Sequence, residues 1–264
     1  MGLFHPDYNK PGPGVRKDEA RKTGIARVWE LWSRDGWDFI RANALCVLGG
    51  IPLAAGLLLG LLGHSLLVMI AAGALGGALF GLGYAALHDT ILRALRDEPG
   101  YWWFTYKKAF ARNWKSSLLP GAVWGLVVAS QLYTAWMLLA SPVENALVLV
   151  MMLCISMILS CTMFPFVFSQ LVLMELPVME LLRNSIILGL STGPKMLLAS
   201  IAQAAYWGVT FMLLPLSLLW MPVVGFAILL VPVEMVVFGM LDKTFDLERR
   251  ILEAQAEQRQ EQAD

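Results

Sequence analysis

Six long apolar runs dominate this chain of 264 residues, and they are separated alternately by longer segments that carry Lys and Arg and by very short links without a cation. The runs cover approximately 43–63, 66–87, 118–140, 145–168, 196–219 and 221–241. A helix of about 20 apolar residues crosses a hydrocarbon layer roughly 30 Å thick, because in lipid every backbone polar group must be bonded within its own segment. Each run has that length, so the expectation is an all-α membrane protein of six transmembrane helices arranged as three hairpins. The composition agrees, with 58% hydrophobic residues, 15% charged residues and a mean hydropathy of +0.63, far from the balance of a soluble domain.

The formal net charge of zero conceals a strict segregation. Lysine and arginine resist translocation, so their placement in short loops sets orientation. Of the 20 cations, eight precede the first run and six lie between runs two and three. Two lie between runs four and five, and four follow run six. The links at His64-Ser65, at 141–144 and at Trp220-Met221-Pro222 hold none. The links should therefore face outward and both termini the cytoplasm. The first apolar run follows some forty polar residues without a cleavage pattern, so no removable signal peptide is expected. Three parts follow: a Pro/Gly-rich tail at 1–24, a transmembrane domain at 25–241 and a charged helical tail at 242–264. Nothing points to nucleic acid as a partner.

Each expected hairpin is preceded by an amphipathic stretch. In the first, Ile25, Val28, Trp29, Trp32 and Phe39 recur at helical spacing opposite Arg34 and Arg41. In the second, Trp103, Tyr106, Phe110 and Trp114 run beside Lys107, Lys108, Arg112 and Lys115; the third begins near Pro177 and carries Arg183. Such segments suit the headgroup layer of the lipid bilayer. Arg41, Arg112 and Arg183 are 71 residues apart each time, which suggests three parallel copies about a pseudo-threefold axis. Asn113 and Asn184 keep that register, and Asn43 falls one residue late.

The start Met1-Gly2-Leu3-Phe4, with 6–15 reading Pro-Asp-Tyr-Asn-Lys-Pro-Gly-Pro-Gly-Val, resembles the opening of the YesL family of bacterial membrane proteins. Phe39-Ile40-Arg41-Ala42-Asn43 leading to Gly50-Ile51-Pro52, Phe110-Ala111-Arg112-Asn113-Trp114 and Leu182-Arg183-Asn184-Ser185 are similar to later motifs of that family. The resemblance covers the chain to about Leu241. It implies a place in the bacterial plasma membrane and a non-enzymatic accessory or regulatory role beside a carbohydrate ABC importer, with that importer's permease subunits as partners. No phosphate-binding GxxxxGK[ST] loop is present, so the chain is not the ATPase of such a system.

Few polar groups interrupt the runs. Glu234 is the one carboxylate deep in an expected span, after Pro232, and Gln203 lies at a similar depth as its expected partner. The pair would line a polar site or simply tie two helices together. Gln131, Ser156 and Ser160 add hydroxyls and an amide that would form a solute site only by converging on one cavity. Gly73, Gly77 and Gly81, at four-residue intervals, make a groove for a partner subunit or, by preference, for packing against Gly56 and Gly60 of the first run. His88 and Asp89 are expected where run two leaves the bilayer. No metal-ligand spacing, cofactor motif or catalytic constellation occurs, so an enzyme is not expected. The accessory role thus competes with two others: a small solute transporter or channel with a polar site around Glu234, and a lipid-binding membrane scaffold. Oligomeric state is not written in the chain.

Overall fold

The computed structural model describes residues 21–98, 100–140, 142, 144–174, 176–251 and 253. The expectations for the Pro/Gly-rich start at 1–20 and for the charged tail after 253 lie outside those residues. Among them every regular element is helical: α1 (Gly24–Leu62), α2 (Leu66–Leu95), α3 (Trp102–Ala140), α4 (Ala146–Leu173), α5 (Val178–Ser191), α6 (Pro194–Met212) and α7 (Ala227–Phe245), with single turns at Leu216–Leu219 and Met221–Val224. Five stretches are long and apolar enough to cross a membrane, namely α1, α2, α3, α4 and Met221–Phe245. A sixth is added if α5 and α6, bent by 106° at the break between them, form one broken span.

The amphipathic stretches at 25–41 and 102–117 are not separate interfacial helices. Each is the first part of a continuous 39-residue helix, α1 or α3, about 58 Å long at 1.5 Å per residue. Each helix runs on without a break, although Pro120 in α3 has no N–H to give the Ser116 carbonyl and so removes one bond of the ladder near the junction. Only the third stretch ends at a break, where Gly193 takes a φ of +66°, a left-handed conformation that glycine adopts without steric cost, and Pro194 opens the next helix.

Gly73, Gly77 and Gly81 pack against α3 rather than against Gly56 and Gly60. A Cβ placed on Gly77 would stand 2.6 Å from the carbonyl oxygen of Gly121, and one on Gly81 2.8 Å from the Gly121 Cα. Gly56 instead meets Ala72, and Gly60 meets Met69. A π-helical turn at Ala72–Gly76 adds a residue to α2. It turns Gly76 onto the Leu53 backbone while Gly73 and Gly77 stay on α3, so α2 is gripped on both sides.

Asn43 decides where the last apolar run begins. Its side-chain nitrogen donates to the carbonyls of Met221 (2.7 Å) and Pro222 (3.0 Å), and its oxygen accepts from the backbone N–H groups of Phe226 (2.8 Å) and Ala227 (3.2 Å). One fully buried amide thereby satisfies the chain between the Met221 turn and α7. Asn43 lies 19 residues before the end of α1 at Leu62, about 28 Å along the axis. The other two links sit together at the far end, where His64 meets Trp136 with ring centroids 5.1 Å apart. The third link therefore stops well short of the first two, and the third unit does not repeat their geometry.

Candidate functional site

Pro165 in the middle of α4 has no N–H, so the carbonyl of Cys161, four residues earlier, loses its helical partner. Gln203 of α6 donates its amide to that carbonyl at 3.1 Å. Gln203 therefore does not meet Glu234, as its depth in the sequence suggested. Across the space from it, Gln131 of α3 donates to Ser156 (3.0 Å) and Ser160 (2.8 Å) of α4, while Ser160 passes its own proton to the Ser156 carbonyl. Gln131, Ser160 and Gln203 line one cavity of about 450 Å³. Its walls hold six aromatic rings, from Tyr84, Trp124, Phe164, Trp207, Phe211 and Phe226. Three polar side chains from three helices thus meet in one aromatic chamber.

Tyr84 and Pro165 belong to this wall, and one helical turn beyond each, about 6 Å along its helix, lie His88 and Ser169. There they meet Glu234 of α7. His88 Nδ1 is 2.8 Å from Glu234 Oε1, and the Ser169 hydroxyl is 2.8 Å from both carboxylate oxygens. All three side chains are fully buried. Tyr84 packs edge-on against His88 with centroids 4.6 Å apart, Phe168 stacks on the imidazole at 5.6 Å, and the two rings touch each other at 4.9 Å. Tyr84 thus lies between the His88–Glu234 pair and the cavity, packed on the imidazole and lining the wall. His88 is not an isolated residue at a helix exit; it is the principal partner of Glu234.

Beside this pair, beginning at Asp89, lies a lattice of cations on helix C-termini, where the exposed carbonyls carry negative charge. Arg112 binds Asp89 (3.2 Å) and the Val172 carbonyl in the last turn of α4 (3.2 Å). Arg27 and Arg34 donate to the carbonyls of Leu95 and Ala94 at the end of α2, and both bind Asp97. Burial alone would push the Asp97 carboxyl up, but the hydrogen bonds and charges of Arg34 and Arg27 outweigh it and hold Asp97 below the ordinary carboxylate range. A carboxylate held down in this way adds stability above its unfolded pKa, about 3.9, and loses that stability as pH falls through the lower folded value. Asp97→Asn should therefore lower the melting temperature at pH 7, and the gap from the unaltered protein should begin to narrow below about pH 4 and vanish only below the folded value. Parallel melting curves at pH 7 and pH 3.5 check this, and a gap that stays constant would mean the carboxylate charge does not matter.

The remaining expected interfacial residues are on the outer faces of α1, α3 and α5. Trp29, Trp103, Phe110 and Trp114 are exposed, Lys107 lies over Trp103 and Lys115 over Trp114, and Arg183 is exposed. Trp32 is half-buried against Phe39, and Arg41 lies over Trp102 and pairs with Asp38. No family model, no curated protein and no solved structure matches this chain.

Proposed function

We propose that this protein binds a small amphipathic solute inside the membrane and passes it between the cavity and one side, as a compact transporter. The observation that carries this reading is the convergence of Gln131, Ser160 and Gln203 on a chamber walled by six aromatic rings. Ordinary helix packing would leave such amides scattered along separate interfaces. A volume near 450 Å³ suits a ligand of modest size, and a few placed polar groups in an aromatic lining are what orient one. The buried Glu234 and His88, an expensive pair to maintain in an apolar interior, lie one turn behind the wall residue Tyr84.

In this reading the chain is a multi-pass protein of the bacterial plasma membrane, with both termini cytoplasmic and the arginine lattice in the inner headgroup layer. The first four apolar runs make two full hairpins. The last two, with α5 and α6 bent against each other, make a shorter one that leaves and returns on the same side, so the termini stay together.

Gly208 lines the cavity, and a Cβ built on it meets no atom within 4 Å. Gly208→Phe should therefore fill the chamber without disturbing the helices. In reconstituted vesicles loaded with a mixture of small radiolabelled amines and polyols, efflux through the unaltered protein should exceed that through Gly208→Phe by at least tenfold. Equal efflux from both, with equal melting temperatures, would remove the transport reading.

The resemblance to the YesL family supports a second reading, an accessory subunit docked on the permease of a carbohydrate importer. Its specific support in the fold is the exposed aromatic and basic face of α3 at 103–115, which would meet either lipid headgroups or a partner at the same depth.

A further inference from the structure

We infer that the solute taken by this cavity is an organic cation, an amine or ammonium group attached to a flat apolar body; this rests on the reading of the cavity as a solute site. The lining has 18 residues, six of them aromatic, and none is Lys, Arg or His. Ring faces carry negative potential and attract a desolvated cation, whereas they repel an anion. Trp207 and Phe226 sit 5.0 Å apart at a tilt of 48°, and Trp124 stacks on Phe80 beside them, so these rings are held in place before any solute arrives.

The two glutamines reinforce that sign. Gln203 must direct its NH2 at the Cys161 carbonyl, which can only accept. Gln131 must direct its NH2 at Ser160, because the Ser160 proton is already given to the Ser156 carbonyl. Gln131 thus spends both of its N–H groups on the two serines and Gln203 spends one of its two on the carbonyl, so each amide is held with its oxygen away from those partners. Among the described residues neither amide oxygen accepts a hydrogen bond, so two fixed acceptors remain on the wall. The donors of the wall are neutral ones, the second N–H of Gln203, the Tyr84 hydroxyl and the indole N–H groups of Trp124 and Trp207. An ammonium group finds oxygens and ring faces here to replace its hydration; a carboxylate or phosphate finds no cation.

Charge beyond the wall does not oppose that sign. Glu234 lies behind Tyr84, with the His88 imidazole as its partner. The arginines are engaged elsewhere: Arg93 and Arg112 hold Asp89, and Arg27 and Arg34 hold Asp97. A neutral alcohol of the same shape would use the glutamine oxygens but gain little from the rings. Charge, not shape, is thus the discriminating property.

Three compounds of nearly one shape test this: phenethylamine, 2-phenylethanol and 3-phenylpropionate. Each is titrated by calorimetry at pH 7 into the full chain in lipid nanodiscs, and into Gly208→Phe and Gln203→Leu. The amine should bind at least tenfold more tightly than the alcohol, with the acid weaker still. Gly208→Phe should abolish all binding, and Gln203→Leu should weaken the amine more than the alcohol. Alcohol binding as tight as the amine, or acid binding tighter, overturns the cation inference and leaves the solute site intact. If none of the three binds at millimolar concentration to folded protein, the solute site falls along with it.

Discussion

Gly125→Leu is expected to prevent recovery of the folded protein from the membrane. A Cβ at this position would stand 2.1 Å from the Gly73 carbonyl oxygen and 2.6 Å from the Gly77 Cα. Both obstacles are backbone, so no change of rotamer in a neighbour relieves them. The contact is reciprocal, since a Cβ on Gly121 would stand 2.5 Å from the Gly77 oxygen. In lipid there is no hydrophobic gain from joining two apolar helices; association depends on close van der Waals approach and on what small residues permit. Pushing α2 and α3 apart by even an ångström loses much of the attraction along the whole seam. Overpacking of a well-filled interior costs about 1–3 kcal/mol, and more where backbone must move, which is the situation here. The control is Gly208→Leu, at a position where a Cβ meets open space. Denaturation in mixed micelles should separate the two variants widely, and equal midpoints would mean that the helices do not cross this closely.

That seam also shows how far the chain could be read before its structure was known. The four-residue interval of Gly73, Gly77 and Gly81 marks a close helix contact, and such a contact is present. The tight link at His64 points to α1 as its partner, but the partner is α3, where Gly121 and Gly125 repeat the same interval. Hydropathy located the apolar runs well, since their existence depends on composition alone. It did not locate their depth relative to one another. Counted from the Lys- and Arg-bearing end of each run, Glu234 is far inside while His88 and Ser169 fall just beyond the ends. Asn43, by fixing the Met221 turn and the start of α7 low on α1, brings all three to one level. A single asparagine with four backbone partners leaves no periodic trace in a sequence. The convergence of Gln131, Ser160 and Gln203 was equally hidden, although Pro165 offered a clue, because a proline inside a helix frees the carbonyl four residues before it and some donor must answer.

His88→Leu should be among the most destabilising substitutions in the protein, and adding Glu234→Leu should reverse most of the loss. Removing the imidazole leaves a fully buried carboxylate with the Ser169 hydroxyl as its one side-chain partner among the described residues. Taking one partner from a buried polar pair leaves the other with its desolvation penalty uncompensated, a cost of about 3–5 kcal/mol where the pair is charged. Replacing both members with apolar residues removes that penalty, and comparable exchanges are neutral or stabilising by roughly 1–4 kcal/mol. The double variant should therefore melt near or above the unaltered protein, with a coupling energy well beyond the 0.5 kcal/mol or so within which independent sites add. If the pair only ties α2 to α7, phenethylamine binding should survive in the double variant along with stability. If Glu234 supplies field to the cavity through Tyr84, the double variant should be stable and yet bind the amine several-fold more weakly, with little change for 2-phenylethanol. Stability and amine affinity recovering together would assign the pair to architecture alone, while recovery of stability without affinity would assign it to the site.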